Sequence, residues 1–303
     1  MLPFRLIYHP GYDLNFGSHV FPSRKFRLIR ERLLEVGFAE ENDFLAPEAA
    51  SDEDLLLVHT RRWITRLKEG TLDYLELLQL EIPYSHKMVE AAWLAVGGTI
   101  LAARRALSDR IGMNIGGGFH HAFADHGEGF CAIHDVAVAI RRLQQDGLIE
   151  RAMIIDADVH HGNGTAAIFR GDSSVRTLSI HQFHNYPAEK PESDIDVHLN
   201  DGVEDAEYLE KLGGAARRGL EEFRPHLVMY LAGADPYRED QLGGLKLSIE
   251  GLKARDRMVF DLAQEFGSAV AVTLAGGYAA RVEDTVTIHA NTAKAAAESL
   301  MGK

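Results

Sequence analysis

Apolar residues along this chain fall into two kinds of run. Short, nearly continuous runs occur at Phe4–Tyr8, Ile111–Ile115, Met153–Asp156, Arg176–His181, Leu227–Ala232 and Ala269–Ala275. Turn-forming residues bound them, and their aliphatic and β-branched content suits strands covered on both faces. Between them lie longer segments with apolar positions at helical spacing: Ser23–Val36, Tyr84–Leu107, Ile133–Gln145, Ala206–Phe223, Ser248–Phe266 and Val282–Met301. The first opens on Ser23, a residue suited to capping a helix, and stops at Gly37. Gly37–Ser51 and Asn185–Asp205, the latter rich in proline and acids, read as long surface loops. Strand and helix alternate, which predicts an α/β fold built on a parallel sheet.

Composition narrows the class. The 303 residues suit one large α/β domain over 1–303, and no low-complexity linker or fixed-period repeat divides them. One cysteine, Cys131, excludes an internal disulfide and suits a reducing cytoplasm. Its apolar neighbours read as core rather than as the setting of a nucleophile. No apolar run is long enough to span a bilayer, and the N-terminus lacks a signal-peptide pattern. The formal net charge of −13 disfavours nucleic-acid phosphates as partners. It is compatible with cationic substrates such as lysine-containing peptides or polyamines, although many soluble proteins are equally acidic.

Chemistry gathers where the predicted strands end. Ile154-Ile155 runs into Asp156-Ala157-Asp158-Val159-His160-His161-Gly162-Asn163-Gly164. On an extended backbone, residues two apart share a side, so Asp156, Asp158 and His160 form one row. Such a row is costly in a core unless its members hold a cation or one another. A carboxylate and an imidazole from one strand end make half of a metal site. The other strand ends carry similar groups: Gly117-Gly118-Phe119-His120-His121-Ala122, Ser179 with His181, Gly233-Ala234-Asp235-Pro236 and Ala275-Gly276-Gly277-Tyr278. Ligands of open parallel sheets bind beyond the carboxyl ends of the strands, so five such ends together predict an active site.

These motifs resemble the histone deacetylase family, which includes acetylpolyamine amidohydrolases and acetoin-utilisation proteins. The resemblance rests on GGFHHA at Gly117–Ala122, GFC at Gly129–Cys131, DADVHHGNG at Asp156–Gly164 and GADPYREDQLGGLKLS at Gly233–Ser248. The opening YHPGYDLNFGSHVFPSRKF is similar to small bacterial members related to class IV. The resemblance implies the arginase–deacetylase α/β fold, a mainly parallel sheet of about eight strands with helices on both faces.

It also implies residue roles. Asp158, His160 and Asp235 match three metal ligands, which would leave an open position for water and a substrate carbonyl. Two carboxylates and an imidazole suit Zn²⁺, with Fe²⁺ as an alternative occupant. His121 matches the general base and acid, and His120 an electrostatic partner supported by Asp156. Asn163 stands where several members have an aspartate, and a neutral amide would raise the histidine pKa less. Tyr278 matches a donor to the acyl oxygen. Gly129, Phe130, Tyr186 and Leu242 match the walls of a narrow substrate tunnel. Asp156, Asp158, His160, Ser179 and Ile180 match a structural potassium site, and Phe169, Asp172 and Val175 a second one.

The implied reaction is hydrolysis of Nε-acyl-lysine on a peptide or protein, with acetylated polyamines or other small acetylated amines as the alternative, and no nucleic-acid or membrane partner. An open rim would accept bulky peptides, and the resemblance to class IV implies that longer acyl groups are tolerated. Two rivals follow from the same fold. A binuclear ureohydrolase needs further bridging acids, and Ala234-Asp235-Pro236-Tyr237 supplies only one. A non-catalytic acyl-ligand binder would have lost catalytic side chains that this chain retains.

Overall fold

The computed structural model describes residues 1–14 and 16–302. Eight strands form one sheet: β1 (Arg5–Ile7), β2 (Phe44–Leu45), β3 (Ile111–Asn114), β4 (Ala152–Asp156), β5 (Val175–Gln182), β6 (Ile195–Leu199), β7 (Leu227–Leu231) and β8 (Ala269–Thr273). Their order is β2-β1-β3-β8-β7-β4-β5-β6, and every neighbouring pair is parallel. The helices are α1 (Lys25–Glu35), α2 (Asp52–Leu55), α3 (Arg61–Glu69), α4 (Tyr74–Leu80), α5 (His86–Asp109), α6 (Asp135–Gln145), α7 (Asn163–Ile168), α8 (Asp205–Phe223), α9 (Ile249–Glu265) and α10 (Val282–Met301).

The continuous apolar runs form central strands because both faces of the sheet are covered. Met153 and Ile155 of β4, Val228 and Tyr230 of β7, and Val270 and Val272 of β8 pack on one side with residues of α1, α8, α9 and α10. Their alternate neighbours, Ile154, Leu227, Met229 and Ala271, pack on the other with residues of α3, α5 and α6. No helix among the described residues is long and apolar enough to cross a membrane.

The chain path sets where the site falls. After β4 the chain moves outward to β5 and β6, then returns to lay β7 and β8 on the other side of β4. Connections therefore leave β4 and β7 in opposite directions and open a crevice between their carboxyl ends, the usual ligand site of such sheets.

Two predicted loops contain strands. Gly37–Ser51 holds β2, whose two residues are too few to carry a period. Asn185–Asp205 holds β6, where Ile195, Val197 and Leu199 alternate with Asp196 and His198. That alternation was a readable strand signal, masked by the surrounding acids and prolines. The first predicted helix also starts later than Ser23. The Ser23 hydroxyl accepts from the Leu14 amide (3.0 Å) and donates to Asp13 (3.3 Å), so it secures the preceding loop. Residues 52–80, read as neither helix nor strand, form α2, α3 and α4, with Thr60 capping α3 and Gly70 ending it in a left-handed turn.

Candidate active site and metal centre

β4 ends at Asp156, and the loop beyond it is held by its own acids. Asp156 Oδ1 accepts from the Asp158 amide (3.1 Å), and Asp158 Oδ1 from the His160 amide (3.0 Å). Asp235 arrives from the end of β7. Asp158, His160 and Asp235 each offer a donor atom, all within 4.8 Å of one another, and all three side chains are buried. His160 Nδ1 lies 3.0 Å from Asp158 Oδ1 and 3.4 Å from Asp235 Oδ2.

Whether this cluster suits a cation can be judged from its unmet needs. Backbone amides of Gly276 and Val159 donate to Asp158 Oδ2 (2.8 Å) and Asp235 Oδ1 (2.9 Å). Asp235 Oδ2 is buried without a hydrogen-bond partner, a costly state that an adjacent cation relieves. Burial, and then the charge of Asp158, push the Asp235 carboxyl above the usual carboxylate range. The carboxylates meet only because the backbone beside them is bare. A Cβ at Gly276 would lie 1.9 Å from Asp235 Oδ2, and one at Gly233 would lie 2.8 Å from Asp158 Oδ2. Two carboxylates and an imidazole converging on one point fit a divalent ion such as Zn²⁺ or Fe²⁺.

The tandem histidines leave β3 through Gly117 and Gly118, whose φ of 69° and 86° are open to glycine at little cost. Their ring centroids are 4.0 Å apart, yet their environments differ. His120 Nδ1 lies 2.7 Å from Asp156 Oδ2. Burial alone would lower its pKa, but the charges of Asp156 and Asp158 outweigh it and carry the imidazole to about 9. His121 is held well below the usual range by burial, then by His120 and His160. Its Nδ1 lies 2.7 Å from Asn163 Oδ1. With the amide oxygen accepting, Nδ1 carries the proton and Nε2 is the basic atom.

Asn163 does not stand alone. Its Nδ2 donates to Glu128 Oε1 (2.7 Å), which also accepts from the Tyr186 hydroxyl (2.8 Å). Burial alone would raise the Glu128 carboxyl, but contacts from His126, Tyr186 and Asn163 hold it below its ordinary value. A carboxylate thus stands one residue further from His121 than an aspartate at position 163 would place it. Sequence reading passed over Glu128, because its role depends on a contact between residues 35 apart.

A cleft of about 500 Å³ opens over the cluster, lined by Glu81, His121, Gly129, Phe130, His160, Asn185, Tyr186, Leu242 and Tyr278. All four residues predicted for the tunnel line it, and Glu81 and Asn185 are additions. Phe130 adopts φ 70°, uncommon for a large residue, after Gly129 at 51°. This strained pair turns the Phe130 ring into the wall, 5.9 Å from Tyr278. Tyr278 is fastened through its amide to Asp240 Oδ2 (2.6 Å). Burial, and then Asp158 and Asp235, keep its phenol protonated, well above the usual range. Cys131 is buried, and burial raises its thiol well above the ordinary value, which leaves it a core residue.

The remaining predicted residues flank the site. Ser179 pairs in register with Asp156 across β4 and β5, and its hydroxyl lies 2.9 Å from His181 Nδ1. Ile180 is fully buried beside it. Phe169, Asp172 and Val175 form a turn between α7 and β5, where Arg141 engages the Asp172 carboxylate at 2.5 Å.

Comparison with known proteins agrees with this geometry. The family model for the histone deacetylase domain matches residues 19–293. Histone deacetylase 2 of Arabidopsis thaliana is 35% identical, covering 90% of this chain and 74% of its own length. The acetoin utilization protein AcuC of Bacillus subtilis is 32% identical over 89% of this chain and 76% of its own. The crystal structure of the HDA15 HD domain superposes with a TM-score of 0.82 at 25% identity, covering 99% of this chain and 91% of that one. A histone deacetylase homolog from Aquifex aeolicus gives 0.81 at 25% identity, with 96% and 83% covered. With its eight-stranded parallel sheet and its full run of motifs, the chain belongs to the histone deacetylase family.

Proposed function

We propose that this deacetylase-family hydrolase removes acetyl groups from Nε-acyl-lysine, with Asp158, His160 and Asp235 holding a catalytic Zn²⁺ or Fe²⁺. The observation that carries this reading is the buried, unpartnered Asp235 Oδ2 at the base of an aromatic-walled cleft. When bound, the ion supplies Lewis acidity and a water of lowered pKa. His121, with Nε2 free of a proton, is placed to accept a proton from an attacking water and to return one to the departing amine. His120 stays charged beside Asp156 and favours the developing negative charge. Tyr278, protonated and fixed at its backbone, donates to the acyl oxygen. Phe130 and Tyr186, with Gly129 and Leu242, grip the methylene stem of the lysine.

Asp156, Asp158, His160, Ser179 and Ile180 would hold a potassium ion, which would brace the loop that carries two of the ligands. Residues 1–303 act as one catalytic domain, and a cytoplasmic setting fits the lone, buried thiol. The test is a panel of kcat/KM values for acetyl-lysine and long-chain acyl-lysine peptides beside N-acetylputrescine and N8-acetylspermidine. Acyl-lysine is expected to lead, and a preference of tenfold or more for the free polyamines would overturn the substrate assignment.

Glu81 supports the second reading. It is an exposed acid in the cleft wall, placed to attract a distal ammonium. If polyamines are the substrate, Glu81→Gln lowers their kcat/KM and leaves the peptide unaffected.

A further inference from the structure

A second group of donors lies at the edge of the sheet and takes no part in the reaction above. In the β5–β6 register, Ser179 pairs with Asp196 and His181 with His198. Residues two apart share a face, so these four side chains form one polar patch. His161 packs over it, its ring centroid 4.6 Å from that of His181 at 83°. His161, His181 and Asp196 each offer a donor atom, all within 4.8 Å of one another. His161 Nε2 is 3.3 Å from Asp196 Oδ1, and His181 Nε2 is 2.9 Å from His198 Nδ1.

The group is poorly satisfied as a hydrogen-bond network. His161 and His181 are 0% exposed, His161 Nδ1 is buried without a hydrogen-bond partner, and His161 Nε2 has only long contacts, 3.3 Å to Asp196 Oδ1 and 3.4 Å to Ser193 Oγ. The Ser193 amide donates to Asp196 Oδ2 (2.9 Å), and Ser179 Oγ lies 2.9 Å from His181 Nδ1. A hydroxyl accepting from Nδ1 leaves the Nε2 lone pair facing the cluster, the arrangement that orients metal-binding imidazoles.

We propose that His161, His181 and Asp196 hold a zinc-type divalent ion in a structural site, with His198 against His181 at its margin. Tetrahedral bonds of about 2.0–2.1 Å place ligand atoms about 3.3 Å apart, close to the spacings found here. Imidazole and carboxylate donors suit such an ion, and the three come from a loop and two strands that it would bind together. His198 is exposed and provides a route of entry. The ion ties the loop after β4 to β5 and to the edge strand β6. Because His161 follows His160 directly, it also steadies the backbone of a catalytic ligand.

Titration of metal-free protein with Co²⁺, read by visible absorption and by bound equivalents, tests the proposal. Wild type is expected to bind two equivalents. Asp235→Ala retains one with a four-coordinate spectrum, and His181→Gln/Asp196→Asn retains the other. His198→Ala, altered at an exposed position, keeps the fold and weakens the edge ion by at least the roughly 10–100-fold that loss of an outer partner costs. Folded Asp235→Ala that binds no Co²⁺ would overturn the site, as would an unchanged affinity and spectrum in His198→Ala in the Asp235→Ala background. Loss of turnover with the edge equivalent intact points to the cleft reading. Loss of the edge equivalent with turnover intact points to this site.

Discussion

His160 and His161 are consecutive, yet their side chains enter clusters of opposite character. In the loop beyond β4 the two rings diverge, so His160 meets Asp235 from β7 while His161 meets His181 of β5 and Asp196 of β6. Around His160, three donors sit below a cleft lined by Phe130, Tyr186 and Tyr278. Around His161, three donors lie at the sheet edge with His198 against His181. An open shell admits a substrate and a closed one only holds the chain together. A third pair behaves differently again. His59 Nε2 accepts from the His134 amide (3.0 Å), and His134 Nε2 lies 2.9 Å from the Thr165 hydroxyl. These buried rings have amide and hydroxyl partners, and they show themselves only through pH.

The contrast between clusters breaks first at Asp235. Asp235→Ala, or chelation of the cleft ion, is expected to reduce hydrolysis of an acetyl-lysine fluorogenic peptide to background, and Zn²⁺, Co²⁺ or Fe²⁺ to restore the chelated wild type. Substantial turnover in Asp235→Ala would remove the distinction between a reactive cluster and a structural one. Next come the groups that act on the substrate. Tyr278→Phe should cut kcat by roughly 10²–10³ with metal content unchanged, and His121→Ala by at least as much, since both proton transfers pass through it. Near-normal kcat in Tyr278→Phe would cancel its role as donor to the acyl oxygen.

Smaller effects sharpen the comparison. Glu128→Gln removes the charge behind Asn163, and kcat should fall by about 10–100-fold, as for other outer partners. An unchanged pH profile and kcat would mean that Glu128 serves only the Tyr186 hydroxyl.

The smallest effect concerns stability. Burial lowers the His59 pKa from 6.5 to about 4, outweighing backbone contacts with Ala124 and Phe123 that favour the charged ring. The folded pKa is depressed, so between these values the unfolded chain binds more protons. This stabilisation is complete above about pH 6.5 and is lost as pH falls toward 4. Between pH 7 and pH 5 the loss is about 2 kcal/mol, measurable as a shift in denaturant midpoint. His59→Gln should flatten that dependence, and an equal slope in both proteins would assign it elsewhere.

The central strands and long helices were legible because their patterns are local. Continuous aliphatic runs such as Met153–Asp156 admit only a strand covered on both faces, and Val282–Met301 carries its helical spacing from end to end. The edge strands were harder to read. β2 is too short to show a period, and the alternation of Ile195, Val197 and Leu199 in β6 is masked by the acids and prolines around it.

The row Asp156, Asp158 and His160, the tandem His120 and His121, and Tyr278 after two glycines stood out in the sequence because each follows a run whose strand character is local, and their expected roles came from the family resemblance. Only the tertiary structure decided which groups share a space. The strand order brings Asp235 to Asp158, the turn at Gly129 and Phe130 carries Glu128 to Asn163, and the β5–β6 register sets His181 against His198. These contacts join residues 77, 35 and 17 positions apart, and backbone period carries no information over such distances. Chain crossings and strand register determine them, and both emerge only when the sheet is assembled.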